Sequence, residues 1–215
     1  MFEKKVIDIS HWNGKLDFES LKKQGIWGVI IKIGGSETSD GHTYQDKMFE
    51  DYYIQAKKSG LHVGCYYFGV GSNYSKGCQD GLRCLEMLKG RQFDLPIYLD
   101  YETYKGNEKK NKAGNTAYVR GFCHTIEERG YFVGVYGSDI STFKELIDKN
   151  LVIDYSWWVA RYNTKGPTYA KENNHLWQYT STGKFNGHSC RFDVNKCYLD
   201  FPTIIIKKGL NGYGK

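Results

Sequence analysis

Proline is scarce, with three residues in 215, and no run rich in Ser, Pro or Gly interrupts the chain. An internal linker is therefore not expected, and the length suits one sizeable core. No stretch approaches the roughly 20 apolar residues of a membrane span, so membrane insertion is not expected. The opening MFEKKVIDIS has neither the apolar centre nor the cleavage site of a signal peptide. Six cysteines occur, at 65, 78, 84, 123, 190 and 197, but none forms C-x-x-C, and the histidines supply no zinc spacing. Most read as small buried hydrophobes; a bridge is weighed only between Cys190 and Cys197, and nothing in the sequence supports it. The charge is mildly positive, +6. No dense basic patch accompanies a nucleic-acid motif, so a nucleic-acid partner is not expected. No strand leads into a dinucleotide-binding G-x-G-x-x-G, and the Gly-rich GVGSNYSKG lacks a Walker arrangement. No cofactor or metal is called for.

What is present is a repeating unit: an amphipathic stretch, a glycine, then a β-rich run. FESLKKQG leads into IWGVIIKIGG, FEDYYIQAKKSG into LHVGCYYFG, GLRCLEMLKG into RQFDLPIYLDYE, and VRGFCHTIEERG into YFVGVYGS. Gly25, Gly60, Gly90 and Gly130 stand where helix C-termini favour a left-handed residue. With KKVIDIS as the opening strand and TFKELIDK as a fifth helix, this makes five βα units. Beyond Leu151, YSWWVARY, HLWQYTS and RFDVNKCYL read as strands with no room for helices between them. The predicted class is α/β, an irregular TIM-like barrel of five βα units followed by three helix-poor strands. An open doubly wound sheet is the alternative. Residues 1–205 are expected to form a single barrel domain, with 206–215, rich in Lys and Gly, a tail or linker stub.

In such barrels chemistry collects where the strands end. The run LPIYLDYETY ends in two acids, Asp100 and Glu102. Alternation places them on one face, roughly 6.5–7 Å apart along the strand. Asp8 and Ser10 end the first strand on one face, and the last strand carries Asp193. A single acid reads equally well as a helix cap or a solvated carboxylate. Four at one rim do not, because an acid facing a barrel interior is costly unless solvated or paired. Clustered carboxylates raise one another's pKa, so one retains a proton and serves as a general acid. Paired acids without a metal-ligand cluster point to glycosidic bond cleavage. Aromatic residues crowd the strand ends, and sugar rings stack on such side chains. Candidate sugar contacts are Tyr67, Tyr136, Trp158, Arg161, Tyr162 and Gln178. His11 is read as structural, since alternation turns it from the face shared by Asp8 and Ser10. Glu37 is read as part of a surface loop.

VIDISHWNG, GCYYFG, LPIYLDYE, GVYGS, WWVARY, LWQYTSTG and FDVNKCY occur in the order found in a known family. On these motifs the sequence resembles the glycoside hydrolase family 25 lysozymes over nearly its whole length. The resemblance implies an irregular barrel of five βα units plus three strands. It implies catalytic carboxylates at Asp8, Asp100, Glu102 and Asp193, with Glu102 the general acid. The implied reaction is hydrolysis of the β-1,4 bond between N-acetylmuramic acid and N-acetylglucosamine. The expected partner is bacterial peptidoglycan, met by a monomer at the cell wall after a holin-type release or loss of a leader. A chitinase-like hydrolase and a non-catalytic wall-binding module remain alternatives at this stage.

Overall fold

The computed structural model describes residues 2–36, 42–105 and 107–214; Glu37 lies outside them. Strand β1 (Lys4–Ile9) leads through a 3-10 turn (His11–Asn13) to α1 (Phe18–Lys23). Strand β2 (Gly28–Ser36), a short β3 (Thr43–Gln45) and α2 (Phe49–Lys58) follow, then β4 (His62–Phe68) with α3 (Tyr74–Leu88) and β5 (Ile97–Asp100) with α4 (Lys112–Glu127). Strand β6 (Val133–Ser138) is followed by one wide π-helical turn, Ser141–Leu146, where the sequence suggested an ordinary helix. Strands β7 (Ser156–Ala160), β8 (Asn174–Gly183) and β9 (Phe192–Cys197) complete the sheet, and α5 (Phe201–Lys207) closes one end. The four cap glycines, Gly25, Gly60, Gly90 and Gly130, have φ between 70° and 90°.

The sheet order β1-β9-β8-β7-β6-β5-β4-β2 closes on itself through β1–β2, making an eight-strand barrel. Strand β3, absent from the sequence expectation, hangs antiparallel on the outer edge of β2. Pairing is parallel from β1 through β2 and β4 to β8, whereas β9 runs antiparallel to both β8 and β1. That reversal brings the beginning of β9 to the rim where the other strands end. Asp193, its second residue, is thereby paired with Asp8.

Alternation divides the apolar residues into two bodies. Ile7, Ile9, Val29, Ile31, Val63, Ile97, Leu99 and Val135 face outward beneath the helices. Val6, Ile30, Tyr98, Tyr136, Trp158 and Leu176 fill the barrel, continuous at its lower end with Phe201 and Ile205 of α5. Residues 206–214 are not a loose tail. Asn211 is fully buried, its side chain accepting from the Phe132 amide (2.6 Å) and donating to the Leu95 carbonyl (3.0 Å). Two residues on, Tyr213 hydrogen-bonds Asp94. The stretch expected to be a tail or linker stub holds a turn bonded under the barrel. All six cysteines are free thiols, so no bridge joins Cys190 to Cys197. Among the described residues no helix is long and apolar enough to cross a membrane.

Candidate active site

The interior parity that places Val6 and Tyr98 in the barrel carries on, two residues later, to Asp8 and Asp100. Asp8, Asp100, Glu102 and Asp193 line one cleft of about 260 Å³ at the rim, together with Tyr66, Tyr136, Trp158, Tyr162 and Gln178. Glu102 lies just beyond the end of β5. Its turn is held by Asn107, whose Nδ2 donates to the carbonyls of Glu102 (3.2 Å) and Gly69 (2.9 Å) while its Oδ1 accepts from the Gly71 amide (2.8 Å). The Tyr101 hydroxyl pins the same turn by donating to the Gly71 carbonyl at 2.6 Å. The acid is thus aimed by buried polar contacts on either side of it.

Asp8 is held by a directed chain. The hydroxyls of Tyr136 and Tyr162 both donate to Gln178 Oε1 (3.0 and 2.9 Å), so Gln178 Nε2 turns to Asp8 Oδ2 (3.0 Å). From the other side, Trp158 Nε1 donates to Asn195 Oδ1 (2.7 Å), and Asn195 Nδ2 donates to the same Asp8 oxygen (2.8 Å). The indole N–H only donates, which orients the Asn195 amide, and the accepting oxygen of Asp8 orients that of Gln178, with its Oε1 left to the two hydroxyls. Trp158 also packs against Tyr136, with ring centroids 4.3 Å apart, which fixes the floor of the cleft.

All four carboxyls are pushed above the ordinary range. For Asp8 the causes are burial first and the charge of Asp193 second, opposed by the Asn195 and Gln178 bonds. Burial and then Glu102 raise Asp100. Burial and then Asp193 raise Glu102, and burial raises Asp193. Lys32 opposes the rise at both Asp100 and Glu102. Its ammonium sits among three rings, 5.6 Å from the centroid of Tyr44, 5.9 Å from Tyr66 and 5.1 Å from Phe68. Cation–π attraction holds this charge on the interior wall, with no ion pair to it among the described residues. Asp100 Oδ1 is buried and has no hydrogen-bond partner among the described residues.

Some sequence expectations need correction. Tyr67 does not reach the cleft. It lies on the outward face of β4, fully buried beneath the helices, with its hydroxyl 3.1 Å from Ser36 Oγ. The neighbouring Tyr66 has interior parity and takes that place. Arg161 is not a lining residue either; its guanidinium Nε lies 3.9 Å from Asp139 Oδ2. That carboxylate also anchors the 168–170 loop, accepting from the amides of Thr168, Tyr169 and Ala170. His11 is held away from the acids by Asp46, Nδ1 to Oδ2 at 2.7 Å. Lys32 and Asn195 were not singled out as site residues. Their signal was a polar side chain two residues from an interior apolar one, Ile30 and Cys197 respectively.

The profile of the glycosyl hydrolases family 25 matches residues 7–188, which takes in every carboxylate of the cleft but Asp193. The chain belongs to this family. Among similar proteins, the autolytic lysozyme of Clostridium acetobutylicum is 27% identical over 97% of this chain and 61% of its own length. Lysozyme M1 of Streptomyces globisporus is 26% identical over 88% of this chain and 66% of its own. The chain therefore spans about two thirds of these relatives. In structure it is similar to the CTP1L endolysin, with TM-score 0.79 and 25% identity over 95% of this chain and 70% of that one. A family 25 glycosyl hydrolase from Bacillus anthracis shares the fold at TM-score 0.73 and 23% identity, covering 99% of this chain and 94% of that one.

Proposed function

We propose that the protein hydrolyses the β-1,4 bond between N-acetylmuramic acid and N-acetylglucosamine in bacterial peptidoglycan, acting as a monomer at the cell wall. Membership of family 25 supports the reaction class, and the matched lysozymes and endolysin support the substrate. Glu102 is the general acid in this reading, since burial and neighbouring charge favour its protonated form.

The observation that carries the mechanism is the unmatched acceptor on Asp100. No described residue donates to this buried oxygen, which leaves it open to a donor carried by a ligand in the cleft. The N–H of a 2-acetamido group supplies that donor. Glu102 then gives its proton to the glycosidic oxygen as the bond to the anomeric carbon breaks. The acetamido carbonyl oxygen bonds to that carbon in the same step, and Asp100 steadies the positive charge spreading onto the nitrogen, its ionised form favoured by that charge and by Lys32 against the effect of burial. Water next attacks the anomeric carbon and opens the ring so formed, its proton passing to the Glu102 carboxylate. This route belongs among the substrate-assisted exceptions to the two-carboxylate scheme. Asp8 and Asp193, with Lys32, set the field in which these charges develop.

Proton NMR of a muramyl oligosaccharide during digestion tests the proposal. The β anomer should form first from wild type, at a rate greatly reduced in Asp100→Asn. An α anomer formed first would overturn the substrate-assisted route. Failure to cleave any muramyl oligosaccharide or wall glycan would overturn the reaction itself.

A further inference from the structure

Among the described residues Trp12 is the most exposed of the large apolar side chains, with 82% of its surface open to solvent. Nothing about its position is loose. Its backbone lies in the 3-10 turn that follows β1, closed by a reciprocal cap: the Ser10 amide donates to Asn13 Oδ1 (2.9 Å), and the Trp12 amide to Ser10 Oγ (3.4 Å). Asn13 Nδ2 ties the turn to the start of β9 through the Arg191 carbonyl at 3.1 Å. One side of the indole is backed by His11, with ring centroids 4.4 Å apart and an interplanar angle of 37°. His11 is itself fixed by Asp46, a carboxylate only 3% exposed, which accepts from its ring and its amide. The result is an aromatic plate on a pinned backbone, backed by His11 on one side and bare on the other.

The plate is tied to the two strands that carry Asp8 and Asp193. Trp12 follows Asp8 by four residues, and its turn is bonded two residues ahead of Asp193. At about 260 Å³ the cleft is smaller than the roughly 300–1,000 Å³ usual for a small-ligand site, so it holds little of a glycan beyond the sugars at the reacting bond. A polymer must continue across the rim. Pyranose rings present an apolar C–H face that packs on an indole, and a pre-ordered ring gives that contact at low entropic cost.

We propose that Trp12, braced by His11 and Asp46, is a stacking platform for a pyranose ring of the same glycan strand, lying on the β1/β9 side outside the sugars that flank the scissile bond. This rests on the glycan-hydrolase reading above. Trp12 positions substrate and takes no part in bond cleavage.

The test compares wild type, Trp12→Ala and Trp12→Phe on long uncross-linked glycan strands and on the shortest muramyl oligosaccharide that is cleaved. On long strands Trp12→Ala should raise KM roughly 3- to 10-fold with kcat unchanged, the range expected for one lost aromatic stack. Trp12→Phe should recover most of the loss, and neither change should affect the short substrate. Equal KM on long strands, or an equal loss on both substrates, would overturn the platform. Binding is read separately in the catalytically silenced Glu102→Gln protein. Trp157, Trp158 and Trp177 are buried and Trp27 is partly so, while Trp158 also lines the cleft; long strands should therefore quench wild-type emission by clearly more than they quench that of Trp12→Phe. Quenching that persists unchanged in Trp12→Phe, or is absent from the start, would also overturn it. If wild type cleaves nothing while this quenching is intact, the reaction assignment has failed and the platform has not.

Discussion

Replacing Asp8 by asparagine should stabilise the protein at neutral pH, by an amount that depends on pH in a defined sense. Asp8 is 8% exposed, and burial followed by the Asp193 charge pushes its carboxyl from an ordinary 3.8 up to about 8. Between those values the folded chain retains a proton that the unfolded chain has released. Stability therefore falls as pH rises through the window. A group titrating alone loses about 1.4 kcal/mol per pH unit, or ~4 kcal/mol at pH 7. The penalty is shared with Asp193, which leaves about 1–3 kcal/mol for Asp8 itself. The side-chain oxygen of the substituted amide can still accept from Gln178 and Asn195, so those two bonds are kept. For a chain of this size the gain amounts to ~2–12 °C in Tm. Thermal melts of both proteins at intervals from pH 4 to pH 8 make the comparison. The two should coincide near pH 4 and separate progressively, with the Asp8→Asn variant the more stable. A constant offset, or a less stable variant at pH 7, would refute the reasoning that the cleft holds its acids against their electrostatic preference.

Other perturbations probe the surrounding structure. Lys32→Met should move both limbs of the kcat/KM profile to higher pH, because the ammonium holds Asp100 and Glu102 down; Lys32→Arg should leave the profile nearly in place, and an unmoved profile in the Met variant would contradict the role given to this charge. Gly121→Ala would put a Cβ 2.3 Å from the Tyr74 carbonyl oxygen, forcing α3 from α4 at a cost of about 1–3 kcal/mol, seen as a lower denaturant midpoint. Asn211→Ala should cost ~2–5 kcal/mol in chemical denaturation, since it strands the Phe132 amide and the buried Leu95 carbonyl; a wild-type midpoint would mean that the terminal turn carries no stability.

The βα repeat and the acids of β1 and β5 were legible because they depend on local periodicity. A glycine after an amphipathic stretch and an acid two residues beyond a buried one mean the same thing in most surroundings. The direction of β9 was not legible: RFDVNKCYL alternates identically whichever way it runs, and only pairing with β1 and β8 shows that it enters from the rim. The Tyr66–Tyr67 doublet fails for a related reason. Either tyrosine suits a strand, and parity is decided by register with Lys32 and Tyr98 on the neighbouring strands. Arg161 reads as a sugar contact because it follows β7 directly, yet its guanidinium lies toward Asp139, distant in sequence. Asn211 was hidden by composition, since a short stretch rich in lysine and glycine says nothing about a single amide that finds two backbone partners.

The most direct test of the central claim is the chemical identity of the ends released from purified peptidoglycan. Fragments made by wild type and by Glu102→Gln would be reduced with borohydride and analysed by mass spectrometry. The account predicts new muramitol ends from wild type and none from the variant. New glucosaminitol ends, or muramitol ends undiminished in Glu102→Gln, would contradict it.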